Sequence, residues 1–135
     1  MLPVRDEEVP PDQLVVLVVD DNVDAAESLC CLLGLLGCKA AVAYDGPGAV
    51  QVGLSSNPHL VIVDLDLPGF DGCEVLRRLK AQREASPPFS VCLTGGGGPR
   101  DRTRCLEAGF DEFWTKPLET AHLTRVLSTV SRIVP

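Results

Sequence analysis

Leu14-Val15-Val16-Leu17-Val18-Val19-Asp20-Asp21-Asn22 decides how the rest of the chain is read. An apolar run of this length with no polar alternation is a strand buried on both faces. It stops abruptly on two acids. From Asp24 to Gly37 the apolar residues then recur at helical spacing, at Ala25, Leu29, Leu32, Leu33 and Leu36, and Gly37 supplies the stop. A buried strand followed by a helix with one apolar face is the repeating unit of a parallel sheet, whose crossovers cover its faces.

The unit recurs along the chain. Lys39–Ala43 is a weaker strand, and a short helix over Gly48–Ser55 is entered through Asp45-Gly46-Pro47, with proline suited to a first turn. Leu60–Val63 is the third strand and ends on Asp64. The turn Pro68-Gly69-Phe70-Asp71-Gly72 leads into a helix at about Cys73–Gln82 with Val75, Leu76 and Leu79 on one face. Phe89–Leu93 is the fourth strand, followed by Thr94 and the glycines Gly95 to Gly98. Pro99–Ala108 is a helix stopped by Gly109, Glu112–Trp114 the fifth strand, and Glu119–Ile133 the last helix. The pattern predicts an α/β fold: a doubly wound, five-stranded parallel sheet, (βα)5, in three α/β/α layers.

The 135 residues suit one domain, expected over 14–134, and 45% hydrophobic content supplies its core. Residues 1–13 hold three prolines and a charge of −3, and read as a disordered tail or linker. The whole chain carries −7, which repels phosphate backbones and anionic lipid, so neither nucleic acid nor a membrane surface is expected as a partner. No apolar run is long enough to span a bilayer and no signal-peptide order opens the chain, so a cytoplasmic location is expected. The six cysteines lie in apolar segments without C-x-x-C spacing and read as reduced, packed thiols.

Sheets of this kind place their sites beyond the carboxyl ends of the strands. There stand Asp20 and Asp21 after strand one, Asp64 after strand three, Thr94 after strand four and Lys116 after strand five. Acids and hydroxyls in such places often do no more than cap the next helix. Capping, however, calls for no lysine and for no second acid beside the first. Three ionised carboxylates at close range need a shared cation, and Mg²⁺ suits them: a hard ion that leaves positions open for phosphate oxygens. Lysine and threonine then offer a charge and a donor to other phosphoryl oxygens, and one carboxylate is free to act as nucleophile.

Four segments carry a resemblance: Leu17-Val18-Val19-Asp20-Asp21-Asn22; Val61 to Gly72 (VIVDLDLPGFDG); Leu93-Thr94-Gly95; and Ala108 to Pro117 (AGFDEFWTKP). Together, with 30 residues from Asp64 to Thr94 and 22 from Thr94 to Lys116, they closely resemble the receiver domain of two-component response regulators, over residues 14 to about 133. The resemblance implies a flavodoxin-like, CheY-like fold and a phosphorelay function. Asp64 would be the phosphoacceptor, with Thr94 and Lys116 completing the catalytic set. Asp20, Asp21, Asp64 and the backbone carbonyl of Asp66 would hold Mg²⁺. Thr94 and Phe113 would be the switch residues, and the Lys116-Pro117 bond would be cis. Implied partners are a histidine kinase or histidine phosphotransfer protein as donor and a downstream protein on the face of helix four, strand five and helix five, with weak homodimerisation besides. The run from Asp20 to Leu29 with Asp45-Gly46-Pro47 looks most like receivers attached to hybrid sensor histidine kinases, and no output module is expected after the last helix.

Several residues have plainer readings. Trp114 stands where a smaller aliphatic is usual and reads as a core filler; Arg100, Arg102 and Arg104 read as a solvated face; His59 and His122 have no metal spacing. Asp66 adds a negative charge beside the acceptor. A haloacid-dehalogenase phosphatase would place its acidic pair after the lysine, not before it. An EF-hand fails at Pro68 and Val75, and a flavin phosphate would be repelled by Asp20 and Asp21. The competing function is a pseudo-receiver that folds identically and serves only as an interaction module.

Overall fold

The structure is a computed structural model that describes residues 14–96 and 98–133. The expected linker at 1–13, the third glycine of the Gly95–Gly98 run, and residue 134 at the expected domain end lie outside the described residues.

Strands and helices alternate throughout: β1 (Val15–Val19), α1 (Val23–Leu35), β2 (Lys39–Ala43), α2 (Gly46–Ser56), β3 (Leu60–Asp64), α3 (Gly72–Gln82), β4 (Phe89–Thr94), α4 (Pro99–Ala108), β5 (Glu112–Thr115) and α5 (Thr120–Ile133). Every pairing is parallel, in the order β2-β1-β3-β4-β5. The doubly wound α/β sheet read from the sequence is therefore the one observed.

Alternation along each strand sorts the apolar side chains into two cores. Val16, Val18, Leu60, Ile62, Val91 and Leu93 pack with Ala26, Leu29 and Leu33 of α1 and Leu123, Val126 and Val130 of α5. Leu17, Val19, Val61, Val63 and Cys92 pack with Ala49 of α2, Val75, Leu76 and Leu79 of α3, and Cys105 of α4. β3, in the middle of the sheet, is buried along its whole length. Its last residue, Asp64, thus stands at the carboxyl end of a strand flanked by β1 and β4.

Caps turn the chain at the site end. Asn22 Oδ1 accepts from the Ala25 N–H at 3.0 Å, Asp45 Oδ1 from Gly48 at 2.6 Å, and Asp71 Oδ1 from Glu74 at 3.1 Å. The capping role available to strand-end acids is thus filled by residues other than Asp20, Asp21 and Asp64. At the far end Gly37, at φ 91°, closes α1, with the Cys38 N–H on Leu33 O at 2.9 Å.

Helix α4 starts without such a cap, because its N-cap Gly98 makes no side-chain bond. Gly98 has φ −73° and ψ 162°, and a Cβ there would meet nothing within 4 Å. Gly98→Ser is expected to add a cap and restrict the unfolded chain, stabilising the protein by about 0.5–1 kcal/mol. A urea midpoint that failed to rise would show that the helix start is held in another way.

At the opposite edge of the sheet His59 Nδ1 accepts from the Val15 N–H at 3.0 Å. Burial and the nearby Arg83 cation hold the His59 pKa below its usual value. Protonation would remove the acceptor and set two cations together. The folded pKa lies below the unfolded value of about 6.5, so His59 supports the fold fully above that pH and progressively less as pH falls towards the folded pKa. Urea unfolding should therefore show a smaller loss between pH 7.5 and 5.5 in His59→Gln than in the native sequence. Equal losses would assign the pH dependence to other groups.

Candidate functional site

The site forms where β1, β3, β4 and β5 end. Asp20 and Asp64 are almost sealed from water, at 4% and 5% exposure, whereas Asp21 is exposed. Each buried carboxylate uses one oxygen to fold its own loop: Asp20 Oδ1 accepts from the Asn22 N–H at 2.9 Å, and Asp64 Oδ1 from the Asp66 N–H at 3.1 Å. The other oxygen of each meets one ammonium group. Lys116 Nζ lies 2.9 Å from Asp64 Oδ2 and 3.2 Å from Asp20 Oδ2.

Backbone geometry places these groups. The Lys116 N–H donates to Thr94 O at 2.8 Å, continuing the β4–β5 ladder past its last pair, and the Lys116-Pro117 peptide is cis. Thr94 is fully buried and its Oγ1 accepts from the Gly96 N–H at 3.2 Å. After Asp64 the chain folds back so tightly that a Cβ on Gly72 would stand 2.5 Å from the Asp64 carbonyl oxygen. Glycine is required there by contact with backbone, which cannot step aside. The Gly72 N–H closes the loop on Leu65 O at 2.9 Å.

Burial raises the Asp64 pKa, against the opposing pull of the Lys116 hydrogen bond, the Asp66 N–H and the Lys116 charge; the neighbouring Asp20 adds to the rise. Burial would lower Lys116, but its hydrogen bonds to Asp64 and Asp20 outweigh that, and its pKa is raised. One ammonium thus serves two buried carboxylates, with Asp21 beside them, and negative charge remains in excess. Oxygens of Asp20, Asp21 and Asp64 all lie within 4.8 Å of one another, the one such set of His, Cys, Asp or Glu groups among the described residues. All its ligand atoms are carboxylate oxygens, which suits a hard divalent cation far better than a thiophilic one.

Phe113 is half-buried and packs against the α2–α4 side of the sheet. Register puts it opposite Cys92, and Thr94 opposite Thr115, so Thr94 and Phe113 belong to the same sheet face two positions apart. Trp114 points the other way, 5% exposed, with Nε1 on Glu112 Oε1 at 3.0 Å and its ring 5.7 Å from that of His122. It fills core, as its plainer reading held. Beside Asp20 and Lys116 a largely apolar groove of ≈ 600 Å³ runs between α1 and the chain after β5, lined by Ala25, Leu29, Leu32, Pro117 and Leu118.

Arg100, Arg102 and Arg104 are all exposed, as read, and Arg104 in addition bonds Asp71 Oδ2 through its guanidinium. The Asp71-Gly72 turn was legible as a helix start. Its partner on α4 was not, because no local pattern links residues 33 positions apart.

The family described as response regulator receiver domain matches residues 16–128. The chain belongs to this family. Receiver domains of two-component systems are the phosphoacceptor modules of phosphorelay signalling, and this is one of them. The receiver is 35% identical over 118 residues to the transcriptional regulatory protein PrrA of Mycobacterium tuberculosis, covering 87% of this chain and 49% of PrrA. It is 33% identical over 121 residues to the phosphate regulon transcriptional regulatory protein PhoB of Escherichia coli, covering 89% and 53%. The chain spans about half the length of these curated relatives. Among solved structures, a two-component response regulator from Clostridium difficile superposes with TM-score 0.82 at 21% identity, over 90% of this chain and 98% of that one, which bears on the fold alone. The co-crystal structure of the Saccharomyces cerevisiae histidine phosphotransfer protein Ypd1 with the receiver domain of Ssk1 contains a chain matched at TM-score 0.78 and 26% identity, over 88% and 89%. Among the described residues no helix of this receiver is long and apolar enough to cross a membrane.

Proposed function

We propose that Asp64 is the phosphoacceptor of this receiver and that Asp20, Asp21, Asp64 and the backbone carbonyl of Asp66 hold Mg²⁺. The observation that carries the reading is the single Lys116 ammonium shared by two buried carboxylates. A fold has little reason to bury that imbalance, whereas a phosphoryl site has every reason to. Bound Mg²⁺ would supply positive charge for phosphoryl oxygens. The chain does the rest. An Asp64 oxygen attacks the phosphorus of a phosphohistidine, the P–N bond breaks, and its electron pair returns to the donor imidazole. Lys116, already 2.9 Å from the attacking carboxylate, is placed to neutralise charge on the transferring group.

Thr94 Oγ1 is then drawn towards the phosphoryl group, and Phe113, on the same sheet face, turns inward. The surface of α4, β5 and α5 changes with them and meets a downstream protein, or weakly a second copy. The donor is a histidine kinase or histidine phosphotransfer protein, and the groove beside α1 supports this by offering apolar surface that ends at Asp20 and Lys116. Donors of this kind support a cytoplasmic location for the receiver.

Intact mass after incubation with Mg²⁺ and acetyl phosphate tests the proposal. One added phosphoryl group is expected, and none when EDTA replaces Mg²⁺. A protein that never gains the mass is the pseudo-receiver instead.

A further inference from the structure

We propose that Asp71 and Arg104 form a switchable tie between the loop that follows Asp64 and helix α4, giving the site a second route to the α4 surface beside Thr94. The inference rests on Asp64 being the acceptor.

Helix α4 is held differently from its neighbours. Cys105 is its one buried residue, where α3 buries Gly72, Val75, Leu76 and Leu79. Its N-cap makes no side-chain bond. Two cationic contacts to α3 and its cap make up for this: Arg104 on Asp71, and Lys80 Nζ on the Gly109 carbonyl oxygen at 2.8 Å. A helix held by one fully buried side chain and a few exposed or part-buried polar contacts has a position that small energies can change.

Asp71 is joined firmly to the acceptor. Its Oδ1 caps α3 while Oδ2 takes Arg104. The next residue, Gly72, lies against the Asp64 carbonyl with no room for a Cβ and donates to Leu65 O. A shift of the Asp64–Leu65 backbone must therefore carry Asp71 with it. Arg104 also has somewhere to go: Asp101 Oδ1, one turn earlier on α4, stands 4.0 Å from Nη1. The guanidinium thus reaches both acids at once, and if the loop draws Asp71 away it stays paired with Asp101 on its own helix, which makes the tie releasable.

Amide hydrogen exchange of α4 tests the tie, with phosphoryl uptake from acetyl phosphate and Mg²⁺ followed by mass in the same samples. Arg104→Ala and Asp71→Asn, which keeps a capping side chain, should each speed α4 exchange about two- to five-fold in the unphosphorylated protein, as losing an exposed pair would. The double variant should be no faster than either single, and Arg102→Ala should match the native sequence. On phosphorylation Thr94→Ala should retain part of the α4 response, and Thr94→Ala/Arg104→Ala should lose it. Additive single effects, or a Thr94→Ala protein that takes up phosphate with no α4 response, would overturn the tie alone. Failure of the native protein to gain mass would overturn the acceptor reading and the tie with it.

Discussion

Asp64→Asn protein is expected to take up no phosphoryl group from acetyl phosphate and, in EDTA, to melt above the native protein. The loss follows because an amide nitrogen or oxygen cannot replace the carboxylate as nucleophile. The gain follows from electrostatics. Burial and Asp20 raise the Asp64 pKa, so the ionised form is the disfavoured one in the fold. A carboxyl whose folded pKa exceeds its unfolded one stabilises the fold below the unfolded value, and that contribution is lost as pH rises through the folded pKa. Above that folded pKa Asp64 is therefore in its costly form. Asparagine removes the charge yet keeps an oxygen for Lys116, and about 1 kcal/mol of added stability is expected, as is common when a functional site is neutralised. The advantage should shrink as pH falls through the folded pKa of Asp64 towards the unfolded value of about 3.9. A variant that still gained mass would move the acceptor elsewhere; one that melted lower at pH 7 would refute the electrostatic account.

Lys116→Met should have the opposite thermal effect and a comparable functional one. The stem remains and the ammonium goes, leaving Asp20 and Asp64 facing each other at 5% and 7% side-chain exposure. Breaking a fully buried pair costs about 3–5 kcal/mol; with 34% of the Lys116 side chain exposed, about 2 kcal/mol is expected here. Phosphorylation should slow by about 10²–10³, the usual penalty for removing one fixed donor to the transferring charge. Mg²⁺ should raise the melting temperature more in this variant than in the native protein, because the ion then answers charge that nothing else does. Equal Mg²⁺ responses would show that lysine and cation act independently.

Legibility in the sequence followed the distance over which each signal acts. Strand ends were readable because buried apolar runs stop where polar or charged residues begin, and Asp20, Asp64, Thr94 and Lys116 all stand at such stops. Boundaries shifted by a residue or two where pairing or caps extend an element: Thr94 joins β4 by pairing with Thr115, and α2 starts at Gly46 because Asp45 caps it. Strand order and the tie from Asp71 to Arg104 were out of reach, since both depend on groups brought together from distant parts of the chain. So was the fact that one lysine serves Asp20 and Asp64 together, which needs distances and not spacing.

The cysteines bear on how this protein can be watched at work. Cys38, Cys92 and Cys105 are buried, and burial raises their pKa values and that of half-buried Cys73, which keeps them protonated and slow to react. Burial raises Cys30 as well, with Cys31 and Glu27 adding to it. Cys31 alone is exposed, on α1, one residue from the groove-lining Leu32. A maleimide dye added to the native sequence should therefore settle on a single thiol beside the proposed donor surface, giving a ready-made optical reporter of encounter with no engineered label.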